Sequence, residues 1–313
     1  MSISVDAPPC NLCGSVRVEV SDSLRGDDIK RMWDAYEEGF SPEQLLPVTS
    51  RTEVNLFQCC NCGFRYFDPS LAGGAAFYEH LSRRPYYPAV KPEFTRAAQL
   101  AQQHSLNRVC DVGCGGGYFL DMARKNGHET FGLELNPRAA AMSRSKGHHI
   151  FADDLSAIAA TRSGSFDLVT AFQVIEHVPN PVEFLELAAR LVRPQGYVVV
   201  GVPNSQSIHS LAPLDPHEWP PHHLSRWRFD HLRLLGERVG LDVVEQNGEI
   251  TSGSQLRDFM RLNNRMAKVL HRANQVRSPL LITIVGYMYT LLGMKHWTKP
   301  FGGGAYTAYR KPG

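Results

Sequence analysis

Residues Arg108–Tyr118 read RVCDVGCGGGY, and this stretch decides the fold of the chain. The apolar run around Asp111 predicts a buried strand, and the apolar spacing after Tyr118 predicts a helix. The glycines between them permit positive φ angles and let a ligand approach the bare backbone. Amide groups at the start of the helix offer donors to a ligand carboxylate or phosphate. The stretch therefore predicts a ligand-binding turn between a strand and a helix.

The spacing of the glycines separates two classes of ligand. Dinucleotide folds use G-x-G-x-x-G, and the third glycine of that pattern would fall on Tyr118. The chain has D-x-G-x-G-x-G instead, which resembles motif I of the class I S-adenosylmethionine-dependent methyltransferases. A purely structural tight turn would use the same residues, so motifs further along the chain must decide. The resemblance implies cofactor contacts from Asp111, Gly113, Cys114, Gly115 and Gly117.

An acid follows at the end of the second predicted strand. Glu134 lies one strand-helix-strand unit beyond Gly113. Its carboxylate can accept hydrogen bonds from both hydroxyls of a ribose. Dinucleotide folds share such an acid, so Glu134 predicts a nucleoside ligand without choosing between the two classes. The alternative is an ordinary exposed acid at a strand end.

The most specific motif is FDLV at residues 166–169, followed by EHVPNP at residues 176–181. It resembles the same methyltransferases, and the resemblance covers residues 108–244. It implies an α/β fold with a doubly wound, mostly parallel seven-stranded sheet, which agrees with the repeated strand-helix pattern. Asp153 or Asp154 would contact the adenine, although either could simply cap the next helix. Further cofactor contacts are implied for Phe172, Gln173 and Tyr87.

Histidines are the candidates for a catalytic base, because methyl transfer to a hydroxyl or carbon acid requires loss of a proton. The resemblance places His177 beside the cofactor, and His222 or His223 lies in a loop expected over the same pocket. Each also has a structural alternative: a hydrogen bond at a helix start for His177, and loop scaffolding for the other two.

A related group, the quinone-biosynthesis O-methyltransferases, carries Glu-x-x-x-Glu-His at this place and is thought to hold a divalent metal there. In this chain the first position is Gln173. An amide oxygen is a poorer ligand for a hard cation than a carboxylate. The departure argues against a catalytic metal and against a quinone acceptor.

Two cysteine pairs predict a structural zinc site. Cys10 and Cys13 form one C-x-x-C pair and Cys59 and Cys62 the other, each followed by glycine. Four thiolates suit tetrahedral zinc and leave no open position for water. The alternative is a set of buried or free thiols. A zinc-ribbon-like module before FRYFDP, residues 64–69, resembles the N-terminal module of methyltransferases of sugar and natural-product pathways.

The domain boundaries follow from these motifs. Residues 1–70 form the zinc-ribbon-like module with a helical insertion, and residues 71–107 form a linker and a helix that covers the cofactor. Residues 108–249 form the methyltransferase core, and residues 250–300 a helical insertion or lid. Residues 301–313 return as the last strand of the core.

Composition narrows the partners. The chain has 33 Lys and Arg against 31 Asp and Glu, a net charge of +2, so no strong field predicts nucleic acid. Seven cysteines and the lack of a signal-peptide pattern predict a reducing cytoplasm. The uncharged stretch 278–294 is short for a membrane span. It predicts a buried lid, a dimer helix or a helix on a membrane surface, with burial favoured.

Three functions compete at this point. The first is S-adenosylmethionine-dependent methyl transfer to an O or C atom of a small molecule, such as a saccharide or lipid-linked precursor. The second is a quinone-type O-methyltransferase. The third, of another class, is a zinc-ribbon module that binds nucleic acid or protein and carries an inactive cofactor domain. The acceptor and the oligomeric state are not encoded in any motif.

Overall fold

The structure is a computed structural model, and it describes residues 7–37, 39–82, 91–207, 213–248, 253–271 and 303–313. The chain forms two compact units. The first contains the described residues within Met1–Phe77, Pro203–His231 and Gly248–Ala305. The second contains those within Tyr78–Val202, Leu232–Asn247 and Tyr306–Gly313.

A seven-stranded sheet forms the centre of the second unit. Its strands are β4 (Arg108–Val112), β5 (Glu129–Leu133), β6 (His149–Phe151), β7 (Phe166–Phe172), β8 (Val192–Pro203), β10 (Asp242–Gly248) and β11 (Gly304–Arg310). Their order in the sheet is β10-β11-β8-β7-β4-β5-β6. The four pairs β4–β5, β4–β7, β5–β6 and β7–β8 are parallel. The order reverses direction beside β4, which is where open α/β sheets bind ligands.

Helices alternate with these strands along the chain, beginning with one that precedes β4. They are α4 (Pro92–Gln103), α5 (Tyr118–Lys125), α6 (Pro137–Ser145), α7 (Leu155–Thr161), α8 (Pro181–Leu191) and α9 (Phe229–Val239). Two of them start at an Asn-Pro pair: the side chains of Asn136 and Asn180 accept hydrogen bonds from backbone amides at the starts of α6 and α8. Proline follows each cap, where its missing N–H costs no helical hydrogen bond.

The core of this unit lies where helix faces meet the sheet. Strand β7 reads FDLVTAF and is buried at every position except Asp167, as expected for a strand covered on both faces. Helix α5 turns Phe119, Leu120 and Ala123 inward. These side chains belong to one apolar cluster with Val109 of β4. Burying this surface fixes the turn between β4 and α5.

A four-stranded sheet with the order β1-β2-β3-β9 organises the first unit. Its strands are β1 (Val18–Arg25), β2 (Glu53–Cys59), β3 (Arg65–Tyr66) and β9 (Ser225–Arg226), joined antiparallel. The helices are α1 (Gly26–Tyr36), α2 (Pro42–Thr49) and α10 (Gly253–Val269), while α3 (Ala75–Leu81) begins in this unit and ends in the second. Trp33 of α1 is fully buried and packs edge-on against Phe40 and Phe77.

The parallel seven-stranded fold predicted from the motifs is confirmed. Two segments hold more structure than expected. The linker 71–107 contains α3 as well as α4, and the chain just after the predicted loop residues His222 and His223 contributes β9 to the four-stranded sheet. The stretch 278–294 lies outside the described residues. Among the helices that the structure describes, none has the length and apolarity to cross a bilayer.

Candidate active site

The glycine turn between β4 and α5 has the conformation that its sequence predicts. Gly113 and Gly117 have φ angles of +73° and +78°, which side chains of L residues rarely adopt. A Cβ on Gly113 would also lie 2.7 Å from Cγ2 of Val174, and one on Gly117 would collide with Ser143. Both positions therefore require glycine for conformation and for space.

Asp111 is buried at the end of β4. Its Oδ1 accepts a 2.7 Å hydrogen bond from the Thr170 hydroxyl on the neighbouring strand β7. Burial, the largest cause, raises the pKa of this carboxyl to about 7, while the Thr170 hydrogen bond opposes the rise. A carboxyl in this state would release its proton when a cationic ligand arrives, because a nearby positive charge favours the ionised form.

Glu134 connects the end of β5 to the glycine turn. One carboxylate oxygen accepts from the backbone N–H of Gly115 at 2.8 Å, and the other from the backbone N–H of Asn136 at 2.7 Å. Burial raises the pKa of Glu134, and the backbone donors oppose that shift. Each carboxylate oxygen keeps a second lone pair, so these bonds leave acceptor capacity for ligand hydroxyls.

A cavity opens beside the turn in the second unit. Its lining combines two charged side chains, aromatic rings and the backbone of the turn: Lys91, Phe94, Asp111, Gly113, Cys114, Tyr118, Phe119 and Phe172. The ring centroids of Phe94 and Phe119 lie 4.9 and 5.0 Å from that of Phe172. The Cys114 thiol faces inward against Gly132, and burial raises its pKa.

Two residues of this site were missed from the sequence. Glu93, in the first turn of α4, is buried and accepts a 3.2 Å hydrogen bond from Nε2 of Gln173. Lys91 Nζ lies 3.8 Å from the same Glu93 oxygen. Burial raises the pKa of Glu93, and Lys91 opposes the rise. An acid on the apolar face of α4, one turn before Ala97, was the signal available in the sequence.

Gln173 is held in an unusual backbone conformation at the end of β7. Its φ is +58°, and its backbone N–H donates to the Gly201 carbonyl of β8 at 2.7 Å. A non-glycine residue with positive φ is uncommon and concentrates at functional sites. The conformation directs the Gln173 side chain to Glu93.

The two adenine candidates are distinguished by their contacts. Oδ1 of Asp154 accepts from the Ala157 amide at 2.8 Å and so caps α7, as the alternative interpretation predicted. Asp153 is exposed and lies two residues after the end of β6, and the cap of α7 is Asp154. Tyr87 lies outside the described residues.

His177 lies in the second unit, in the short 3-10 turn Ile175–His177 after β7. Its Nε2 lies 3.8 Å from the buried Glu176 carboxylate, and its ring packs edge-on against Tyr78 at 5.6 Å. The turn begins at Ile175, two residues after Gln173 in the chain.

His222 and His223 lie in the first unit, buried and stacked with ring centroids 4.5 Å apart. Nδ1 of His222 lies 2.9 Å from the carbonyl of His217, which assigns the proton to Nδ1. Nδ1 of His223 faces the Glu218 carboxylate at 3.5 Å. In both rings the Nδ1 atom therefore faces an oxygen acceptor.

The four predicted cysteines converge in the first unit, with all four sulfurs within 4.8 Å of one another. Sulfur separations are 3.8 Å for Cys10–Cys62 and 3.5 Å for Cys13–Cys59. A tetrahedral zinc with bonds of about 2.3 Å has sulfur–sulfur edges of about 3.8 Å. Disulfide sulfurs would lie about 2.05 Å apart, so the cluster consists of thiols arranged as a metal site would need.

Both cysteine pairs share the same turn. The amides of Gly14 and Gly63 donate to the carbonyls of Cys10 and Cys59 at 2.7 and 2.9 Å. Both glycines have positive φ, which closes each turn around its two sulfurs. Cys60 is exposed and stands outside the cluster.

Comparison with known proteins gives the family of the chain. A family described as a methyltransferase domain matches residues 81–246, more than half of the chain. Two relatives, each named ubiquinone biosynthesis O-methyltransferase, come from Cupriavidus pinatubonensis and Thiobacillus denitrificans. They are 30% and 31% identical over 155 residues, which is 45% of this chain.

The chain spans 62% of the length of the first relative and 67% of the second. Among solved structures, a putative methyltransferase of Haloferax volcanii in complex with the activator Trm112 aligns with a TM-score of 0.48 at 19% identity. That alignment covers 76% of this chain and 94% of the other. This likeness is too low to add to the fold described above.

Proposed function

The chain belongs to the methyltransferase-domain family, and from this membership we propose that it transfers a methyl group from S-adenosylmethionine to an oxygen or carbon atom of a small molecule. One observation carries the proposal. The hydrogen bond between the Gly115 amide and Glu134 joins the glycine turn to the acid at the end of β5. These are the two elements that a nucleoside-bearing cofactor needs in one place.

The described residues fit this cofactor in charge and shape. Gly113 and Gly117 expose backbone that a side chain would cover. Asp111 and Glu93 are buried carboxylates suited to the cationic groups of the cofactor, and the Lys91 ammonium is suited to its carboxylate. We assign cofactor contacts to these residues and to the backbone or side chains of Cys114, Gly115, Glu134, Asp153, Phe172 and Gln173.

The chain has to position the acceptor, exclude water and remove a proton. When bound, the cofactor supplies an electrophilic methyl carbon on a sulfonium. The aromatic lining of Phe94, Phe119 and Phe172 keeps the cavity dry and fixes the line of approach. We propose His177 as the proton acceptor, because the neighbouring Glu176 carboxylate stabilises the cation that forms. His222 and His223 are the candidates of the first unit.

A quinone-type acceptor is the second candidate function, and the names of the relatives favour it. Gln173 remains the feature that separates this chain from the Glu-x-x-x-Glu-His pattern. The side-chain amide of Gln173 already donates a hydrogen bond to Glu93, and a carboxylate at this position could not donate one. We therefore propose that methyl transfer here proceeds without a metal at this turn. Saccharides and lipid-linked precursors remain the other acceptor classes to test.

We also propose that the four-cysteine cluster holds a structural zinc ion. The sulfur separations and the paired glycine turns support this assignment. Seven cysteines are free thiols in the structure, which suits a reducing compartment such as the cytoplasm. A zinc module that binds nucleic acid beside an inactive domain is the competing function. A shift assay with duplex and single-stranded DNA at low salt would support it by showing tight binding.

Methyl transfer from labelled S-adenosylmethionine to metabolite extracts tests the proposal. We expect label in a small-molecule fraction, with quinone precursors and saccharides supplied as separate acceptor pools. Glu134→Ala should lower transfer at limiting cofactor by about tenfold or more, since a buried charge-assisted acceptor is lost. The matched control is Glu129→Ala, because Glu129 is exposed at the opposite end of β5. Equal transfer by both variants would remove Glu134 from the site.

A further inference from the structure

An ionic network of Lys146, Asp121 and His148 contacts the glycine turn. Nζ of Lys146, which ends α6, donates to the carbonyl of Gly116 at 2.7 Å. The same nitrogen forms an ion pair with Asp121 at 2.7 Å and lies 4.2 Å from the centroid of the Tyr118 ring. One ammonium group thus contacts the turn, the first turn of α5 and the aromatic ring between them.

His148 completes the network on the other oxygen of Asp121. Its Nε2 lies 2.9 Å from Asp121 Oδ1, and its Nδ1 lies 2.8 Å from the Thr130 hydroxyl on β5. Nε2 donates to the carboxylate, and Nδ1 accepts from the hydroxyl, as the neutral ring requires. The His148 side chain is fully buried, and burial lowers its pKa.

The network also contacts the turn through van der Waals packing. A Cβ placed on Gly117 would lie 3.0 Å from Cδ2 of His148 and would collide with the Ser143 hydroxyl. The turn is therefore held on one side by the Glu134 carboxylate at the Gly115 amide, and on the other by Lys146 at the Gly116 carbonyl. Two charge-assisted hydrogen bonds therefore fix two peptide groups of the turn, Cys114–Gly115 and Gly116–Gly117.

We propose that Lys146, with Asp121 and His148, is a positioning group that holds the glycine turn in its cofactor-binding conformation before the cofactor arrives. The inference rests on the proposed function, since it concerns the affinity of the same site. A turn preorganised in this way loses little conformational entropy on binding, so cofactor affinity depends on a lysine that needs no contact with the cofactor.

Two measurements on the full chain test this role: calorimetric titration with S-adenosylhomocysteine, and hydrogen exchange of the unliganded protein. Lys146→Met should raise the dissociation constant by about tenfold, because a charge-assisted hydrogen bond is lost. It should also speed exchange in residues 113–121 while leaving β4 and β7 protected. Lys146→Arg, which keeps charge and donors, should restore most of both properties. Lys125→Met, on the exposed face of α5, is the control.

The outcomes separate this inference from the proposed function. Wild-type protein that binds no S-adenosylhomocysteine would refute the function, while the exchange measurement would still decide the role of Lys146. Wild-type exchange in the Lys146→Met turn, or unchanged affinity, would overturn the inference. Faster exchange spread equally over β4 and β7 would also overturn it, since that pattern indicates a general loss of stability.

Discussion

At the scale of single residues, the buried carboxyl of Asp111 is the acidic group among the described residues that line the cavity. It lies at the end of a strand with one hydroxyl donor, Thr170, and Lys91 is the cation whose charge opposes its raised pKa. In the unliganded protein such a group is near its midpoint at neutral pH. A cationic ligand would shift it to the charged form and gain from the interaction.

This state predicts a pH dependence of stability. Between pH 3.8 and about 7 the folded chain keeps a proton on Asp111 that the unfolded chain has lost. Its contribution to the free energy of unfolding is therefore present at low pH and is lost as the pH rises through this window. Asp111→Asn cannot ionise, so the wild-type minus variant difference should fall by roughly 4 kcal/mol at most.

Urea denaturation of both proteins at a series of pH values measures this difference. Comparing the two cancels the opposite trend from carboxyls such as Asp167, whose pKa is lowered in part by its backbone and arginine hydrogen bonds. Curves for wild type and variant that run parallel across the window would show that Asp111 is ionised throughout. The assignment of a raised pKa to Asp111 would then be wrong.

The turn between β4 and α5 is the functional unit at the scale of elements. A side chain at one of its glycines would cause two problems, a strained backbone conformation and a collision with neighbouring atoms. A glycine outside the turn that has only the first problem serves as the comparison. Gly117 has positive φ and faces Ser143. Gly127, just after the end of α5, has a φ of +90°, and a Cβ added there would meet nothing within 4 Å. An alanine at either position would strain the backbone, but only an alanine at 117 would also collide with a neighbour and displace the turn.

We expect Gly127→Ala to cost about 1–2 kcal/mol, the usual penalty for a left-handed alanine. Gly117→Ala should cost more and should also abolish binding of S-adenosylhomocysteine, because the collision pushes the turn away from Ser143. Denaturation and calorimetric titration of the two variants measure these effects. Equal destabilisation with retained binding in both would show that the turn tolerates a side chain at 117.

At the scale of the whole molecule, the chain forms two compact units, and zinc should stabilise only the first. The cysteine cluster joins Cys10 and Cys13, which precede β1, to Cys59 and Cys62, at and just after the end of β2. A metal bound there would therefore link the two chain segments beside the β1–β2 pair. A structural zinc site contributes folding free energy directly, because the unfolded chain cannot hold the ion.

Cys13→Ser should therefore release zinc and lower the protection of β1, β2 and β3 against hydrogen exchange, while β4 and β7 stay protected. Cys60→Ser is the matched control, since Cys60 is an exposed neighbour of the cluster. Elemental analysis gives the metal content, and exchange mapped by peptide gives the extent of the damage. A wild-type protein without zinc, or equal zinc in both variants, would refute the site.

Local pattern was sufficient to predict much of this molecule. The glycine turn, Glu134 and the four cysteines were identifiable because each depends on a short spacing with one physical purpose: positive φ, a strand-end acceptor or paired sulfurs. The parallel sheet followed from repeated strand-helix units. The Asp154 cap was foreseen as an alternative because capping is also a local interaction.

The remaining features depend on contacts between distant segments. Glu93 and Gln173 are separated by 80 residues and form one hydrogen bond, which no local pattern predicts. The pairing of β9 with β3 likewise joins segments far apart in the chain, so the stretch around His222 and His223 resembled a plain loop. The roles of His177, His222 and His223 stay predictions, because a ring can serve as a base or as packing with the same sequence signature.

The most direct test of the methyl-donor site is a calorimetric titration of the purified, zinc-loaded chain with S-adenosylhomocysteine, beside an equal titration with NAD. We predict saturable binding of S-adenosylhomocysteine at one site per chain, lost in Glu134→Ala, and no binding of NAD. Binding of NAD with no response to S-adenosylhomocysteine would contradict the assignment of the glycine turn and Glu134 to a methyl-donor site.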